Sequence, residues 1–220
     1  MRPVLPLHVP PPRPELADEF TDGECYPEAL VECFLAEYTR PGDVVFDPFA
    51  GSGTTLVVAE RMGRRPLGLE IDPDRVDFVA GRLADPTAIR LGDARRLDEY
   101  GLPPVDFVMT SPPYMTRLNH PENPLTGYAT RDGDYERYLE ELTDIFRRLG
   151  RHLTAKARVV VNVANLTYND TVTPLAFDVA RSLSTVLRFE REIVLDWDRT
   201  IDWITNDYCL VFSTIPAGAR

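Results

Sequence analysis

Cysteine is scarce in this chain: among 220 residues there are only Cys25, Cys33 and Cys209. An odd, scattered set is a poor disulfide framework, and no CxxC or Cys/His cluster marks a zinc site. Reduced, partly buried thiols and no bound metal are expected. Lysine is scarcer still, with Lys156 alone, so nearly all positive charge is arginine. Long apolar runs are missing: no stretch approaches the roughly 20 residues a membrane span needs. The opening MRPVLPLHVPPPRPE lacks the apolar core and cleavage site of a secretory signal. A soluble, cytoplasmic protein with no membrane partner is expected.

Excess positive charge is also missing. Asp and Glu number 35 against 24 Lys and Arg, for a net charge of −11. That argues against a broad electrostatic grip on a polyanion, which rests on clustered basic residues. It does not exclude a local one, because net charge says little about a cleft. Acids crowd the segment from Glu15 to Glu32. Arg61, Arg64, Arg65, Arg95, Arg96, Arg147, Arg148 and Arg151 form local basic groups, and arginine suits phosphate forks.

What the chain does have is proline, 20 in all. Pro3, Pro6, Pro10, Pro11, Pro12 and Pro14 keep the first 22 residues from being a helix or a central strand. Residues 1–22 read as an extended arm and 23–220 as one domain. After Pro27, Ala29, Leu30, Cys33, Phe34 and Tyr38 recur at helical spacing. Pro41-Gly42 stops that helix. Val44–Phe46 is a short strand, and Gly51-Ser52-Gly53 turns into a helix over about 54–62. A strand over 66–70, a helix with Val76, Val79 and Leu83 on one stripe, and a strand over 88–91 follow. Val105–Thr110 is the fourth strand. Tyr135, Tyr138, Leu139, Leu142, Ile145, Phe146 and Leu149 define a long amphipathic helix. A strand over 158–163, a helix over about 174–187 and strands over 192–197 and 208–213 complete the chain.

Alternating strands and helices imply an α/β fold with a mainly parallel sheet covered on both faces. The last two strands lie too close for a crossover helix, so the last is expected to be antiparallel. Ligands in such sheets bind beyond the carboxyl ends of the strands. Asp47, Glu70, Asp93 and Ser111 each end one of four successive strands.

In Val45-Phe46-Asp47-Pro48-Phe49-Ala50-Gly51-Ser52-Gly53-Thr54-Thr55, a strand passes through a glycine turn into a helix. Glycines let the backbone approach a ligand, and the helix start offers free N–H groups. It is not a P-loop, as no Lys follows the glycines, and the third glycine of the dinucleotide fingerprint is absent. The string DPFAGSGTT resembles the cofactor motif of amino-group DNA methyltransferases, the family acting on cytosine N4 or adenine N6. The resemblance implies a Rossmann-like class I methyltransferase with a seven-stranded, mainly parallel sheet, an antiparallel last strand and S-adenosyl-L-methionine as cofactor. Asp47, Phe49, Ala50, Gly51, Ser52, Gly53 and Thr54 would surround its methionine part, with Tyr26 beside it. Glu70 would accept the ribose hydroxyls, Ile71 would pack on the adenine, and Asp93 and Ala94 match the segment contacting the adenine.

Thr110-Ser111-Pro112-Pro113-Tyr114 resembles the same family's S/D/N-P-P-Y/F/W catalytic motif. An exocyclic amine is a poor nucleophile, because its lone pair is delocalised into the ring. Ser111 Oγ and the Pro112 carbonyl can each accept one amino hydrogen and leave the lone pair facing the methyl donor. Pro112 and Pro113 stiffen the corner. Tyr114 would stack on a base flipped out of the helix. Serine at the first position is typical of cytosine-N4 members.

The cofactor motif precedes the catalytic motif here, whereas many cytosine-N4 enzymes have the reverse order. No target-recognition domain is evident. Residues 115–132 form the one substantial loop beside the catalytic motif, with Arg117, Asn119, His120, Tyr128 and Arg131 as candidates for base or phosphate contacts. DNA cytosine-N4 methylation is the leading expectation, with a possible cognate restriction endonuclease. Alternatives are adenine N6 in DNA, a base amino group in rRNA or tRNA found by shape, and a non-catalytic cofactor-binding subunit. Oligomeric state is not legible.

Overall fold

The computed structural model describes residues 1–8, 26–118, 121–198 and 200–215. Cys25 and most of the proline-rich stretch lie outside them. Among the described residues nine strands form one sheet: β1 (Val4–Leu7), β2 (Val44–Asp47), β3 (Arg65–Glu70), β4 (Ile89–Leu91), β5 (Val105–Thr110), β6 (Leu153–Tyr168), β7 (Thr171–Thr173), β8 (Arg188–Trp197) and β9 (Ile204–Ser213). Five helices accompany them: α1 (Glu28–Tyr38), α2 (Thr54–Arg61), α3 (Pro73–Ala80), α4 (Tyr135–Leu149) and α5 (Leu175–Leu183). The strand order is β1-β8-β9-β6-β5-β2-β3-β4, with β7 paired to β6. β9 runs antiparallel to both β6 and β8, and the other main pairings are parallel.

The expected seven strands are β2 to β6, β8 and β9; β1 and β7 are additions that the sequence reading missed. β1 holds Pro6, yet a proline is tolerated on an edge strand whose N–H would face outward. Pro3 and Leu7 accept bonds from Val194 of β8 and from Asp198 just after it. The odd-numbered residues therefore face β8, and Pro6 falls on the open side. β7 returns from β6 through Asn169 and Asp170, both at positive φ (47° and 57°). Asn and Asp tolerate that region, and two such residues in sequence make the tight hairpin turn whose twist matches the strands. β6 is also far longer than the expected 158–163, because its carboxyl half pairs with β7 and β9 rather than ending at the sheet's rim.

Both faces are covered, as alternation predicts. α1 and α2 bury Leu30, Val31, Phe34, Leu35, Val58 and Ala59 against Val45, Phe107, Met109 and Val160. On the other face Tyr138, Leu142, Ile145, Phe146 and Leu149 of α4 and Leu175, Val179 and Leu183 of α5 pack on Phe46, Val108, Val159 and Val161. The stripe of α1 differs from the expected one by a small rotation: Cys33 is exposed and Val31 and Leu35 are buried. Cys209 is buried and reduced.

Candidate functional site

The helices after β2 and β3 lead the chain outward one way, toward β4, while β5 is followed by β6 on the other side. The adjacent pair β2 and β5 is thus the topological switch point, where a crevice opens beyond the strand ends in this architecture. Its two lips are the glycine hairpin after Asp47 and the double-proline corner after Thr110. A short hydrogen bond ties them: Thr110 Oγ1 donates to Asp47 Oδ1 at 2.6 Å, both side chains being buried. The same carboxylate accepts from the Phe49 N–H (3.0 Å) and the Tyr26 hydroxyl (3.3 Å). Tyr26 also meets Thr55, whose hydroxyl reaches the Met109 carbonyl.

In the hairpin, Gly51 and Gly53 have φ of +52° and +78°. At Gly53 a Cβ would stand 2.6 Å from Val79 Cγ1, so only glycine lets α2 start this close to α3. Ser52 is buried, with its hydroxyl 3.4 Å from that of Thr54 at the start of α2. Glu70 anchors the hairpin from β3. Its Oε2 accepts from Gly51 N–H (2.8 Å), and its Oε1 from the N–H groups of Ile71 (2.8 Å) and Asp72 (3.0 Å). A carboxylate offers about four lone-pair positions, so taking two ribose hydroxyls would require Oε2 to release Gly51.

Further along this edge, Asp93 caps the short turn Ala94–Glu99 and forms an ion pair with Arg95 at 2.7 Å. Burial pushes the Asp93 carboxyl up, but its bonds from Arg95 outweigh that and hold it below the usual range. Ala94 is buried in the core. Ile71 is partly exposed, and Gly127 of the long loop rests against it: a Cβ on Gly127 would lie 3.2 Å from Ile71 Cγ2.

At the proline corner, Ser111 Oγ donates to Tyr114 OH at 3.3 Å. Tyr138, fully buried on α4, donates its hydroxyl to the Pro113 carbonyl at 2.9 Å and so braces the corner from below. The half-buried Tyr114 ring lies 6.2 Å from that of Trp203, which precedes β9. Burial, and then the nearby Asp207 charge, push the Tyr114 phenol well above its ordinary value. The sequence reading assigned Tyr138 only to the α4 stripe and missed Trp203 and Asp207, since nothing in their local sequence ties them to the motif.

The described part of the loop over 115–132 holds more regular structure than expected. Asn123 is buried, caps a tight turn over Pro124–Thr126 and binds Glu141 of α4. Its first half borders an open cavity of about 570 Å³ lined by Met115, Thr116, Arg117, Pro121, Gly133, Asp134 and Tyr135. Arg117 pairs with Asp178 at 2.7 Å and lies over the Tyr135 ring. Arg131 extends into solvent 3.7 Å from Glu122. Tyr128 is exposed. Asn119 and His120 lie outside the described residues. The arginine groups of the sequence are mostly matched by acids: Arg61 by Glu28 and Glu32, Arg96 by Glu99, Arg148 and Arg151 by Asp98.

Two carboxyls near the crevice are held out of water. Burial pushes Asp47 up to about 6, against its bonds from Thr110, Phe49, Thr55 and Tyr26. Burial does the same for Asp207, to about 6, against bonds from Trp197, Asn162 and the Tyr208 N–H. Both hold a proton more tightly folded than unfolded. Their contribution to stability is therefore complete below about pH 4 and lost as the pH rises through about 6. Urea unfolding of the ligand-free protein is expected to show these groups favouring pH 5 over pH 7.5 by on the order of 2 kcal/mol. Asp47→Asn should shrink that difference; an undiminished one would acquit Asp47.

Residues 18–81 match the model of the N6/N4 DNA methylase family. The chain is 43% identical over 72 residues to the type II methyltransferase M.Cfr9I of Citrobacter freundii, covering 31% of this chain and 24% of that protein. It is 44% identical over 57 residues to the type II methyltransferase M2.DpnII of Streptococcus pneumoniae, covering 26% and 21% respectively. These matches span a quarter or less of the relatives' own length. In fold, the chain is similar to an S-adenosylmethionine-dependent methyltransferase structure from Clostridium acetobutylicum, with a TM-score of 0.60, 7% identity and coverage of 90% of this chain and 96% of that one. The segment that builds the glycine hairpin thus resembles the N6/N4 DNA methylase family, and the sheet has the fold of S-adenosylmethionine-dependent methyltransferases.

Proposed function

We propose that this chain binds S-adenosylmethionine across the glycine hairpin and methylates the exocyclic amino group of a nucleic-acid base, cytosine N4 in DNA first. The observation that carries the reading is the Thr110–Asp47 hydrogen bond, which joins the cofactor lip to the catalytic lip. The residues present fit the cofactor. Two glycines without side chains line the turn, Glu70 offers a carboxylate at the end of β3, and Tyr26 and Asp47 close the methionine end. When bound, the sulfonium supplies an activated methyl group.

The chain's own residues do the rest. Ser111 Oγ and the Pro112 carbonyl accept the two amino hydrogens, so that the nitrogen lone pair points at the methyl carbon. Tyr138 keeps the corner from shifting by holding Pro113. Tyr114 offers its ring to a flipped base, and the nearby Trp203 ring restricts its tilt. Proximity and alignment supply much of the acceleration. Glu70, Ile71 and Asp93 take the ribose and adenine, and Arg117 and the cavity beside it lie on the side from which a nucleic acid would approach. Residues 23–220 act as the methyltransferase domain, with β1 added to its sheet beside β8. Among the described residues, no helix is long and apolar enough to cross a membrane.

The protein incubated with labelled cofactor is expected to label purified DNA, and nucleoside mass spectrometry should show N4-methylcytosine. N6-methyladenine would move the target base, and label confined to RNA would move the polymer. Label in neither would end the reading.

A further inference from the structure

β9 and β5 flank β6 on opposite sides, and Asn162 sits on β6 between them. The last register pair of β5 with β6 is Thr110–Val161, and Ser111 and Asn162 are the next residues along the two chains. The Asn162 amide nitrogen donates to Asp207 Oδ1 at 2.8 Å and to the Tyr208 carbonyl at 3.1 Å. Both partners are acceptors, so chemistry alone decides which amide atom faces β9. Both bonds to β9 come from the amide nitrogen, and among the described residues none donates to the amide oxygen. Asp207 is itself locked, accepting also from Trp197 Nε1 (3.1 Å) and its neighbour's N–H (2.8 Å). Asn162 and Asp207 are both buried, and the Asp207 charge is felt at Tyr114.

This arrangement answers a need that Ser111 has under the proposed reaction, on which the inference rests. A hydroxyl that accepts an amino hydrogen must send its own hydrogen elsewhere, and Tyr114 OH at 3.3 Å is a long and weak destination. We propose that Asn162 is a positioning residue that receives the Ser111 hydroxyl hydrogen on its amide oxygen, and that Asp207 is the positioning residue holding Asn162 in that orientation. The chain of acceptors then runs from the amine to Ser111 Oγ, from Ser111 to Asn162, and from Asn162 to Asp207. Each bond polarises the next. As the nitrogen lone pair forms the new N–C bond, the electron pair of the broken S–C bond stays on sulfur. The amine becomes cationic and releases one proton to water. A buried anion two hydrogen bonds behind Ser111 favours that developing charge without itself taking the proton.

The test is a double-mutant cycle on the full chain, with labelled cofactor and the nucleic acid that the wild type methylates. Asn162→Ala is expected to lower kcat by about 10- to 100-fold, leaving the KM for nucleic acid and the Kd for S-adenosylmethionine within about two-fold. Asp207→Asn should lower kcat in the same direction. In a Ser111→Ala background, Asn162→Ala should change kcat by less than about two-fold, since the group it acts through is gone. Wild-type kcat in Asn162→Ala, or full additivity with Ser111→Ala, overturns the assignment. So does loss of cofactor binding in both Asn162→Ala and Asp207→Asn, which would make the pair a brace of the sheet. A wild type that binds cofactor but methylates no nucleic acid fells the underlying reading instead, and the inference with it.

Discussion

The Ser111→Ala, Tyr114→Ala double variant is expected to lose methyl transfer by at least about 1,000-fold while binding S-adenosylmethionine within about two-fold of wild type. The two side chains belong to the lip after β5, and neither hydrogen-bonds the glycine hairpin; Ser111 bonds Tyr114, and Tyr114 lies beside Trp203. Alanine at 111 would remove one of the two acceptors proposed for the amino group. Alanine at 114 removes the ring on which the base would stack, worth about 1–3 kcal/mol in stacking alone. Because Tyr114 is half-buried, its truncation also removes packing, so a thermal melt must accompany the assay; Tyr114→Phe keeps the ring and should lose far less activity. Calorimetry for the cofactor and a label-transfer assay for turnover separate the two functions. Near-normal turnover in the double variant would remove both residues from the reaction.

Gly53→Ala is expected to destabilise the chain by about 2–4 kcal/mol and to abolish measurable cofactor binding. Two independent terms act at this one position. A φ of +78° is unfavourable for any residue with a Cβ. The added carbon would also stand 2.6 and 2.9 Å from the two methyl carbons of Val79, which is fully buried in α3. Val79→Ala removes the second term and leaves the first. The Gly53→Ala, Val79→Ala pair should therefore be more stable than the sum of the single effects by about 1 kcal/mol or more in urea unfolding. Strict additivity would show that the clash is relieved by backbone movement, and normal cofactor affinity in Gly53→Ala would detach the hairpin from the binding role.

Much of the candidate site's local geometry was legible because its parts are local. DPFAGSGTT and TSPPY each join the end of a strand to a turn, and the residue types that a turn demands are written next to one another in the chain. The same holds for Glu70 and Asp93, which close strands at points where a helix or a capped turn begins. What escaped was whatever depends on distant partners. Tyr138 reads as one more apolar position on α4, and only packing shows its hydroxyl on Pro113. Arg117 reads as a candidate for base or phosphate contacts beside the motif, and only the fold brings Asp178 to it. β1 was hidden by its prolines, because the tolerance of an edge strand for Pro6 depends on which of its sides is open.

From the order of residues alone came the alternation of strands and helices, the antiparallel last strand and the two motifs, since periodicity and turn chemistry act over a few residues. Tertiary structure alone decided that Asp47 and Thr110 touch, that β2 and β5 are neighbours at the switch point, and that Asn162 is held by Asp207. Those facts depend on strand order and register, which are set by how whole faces bury one another rather than by any single segment.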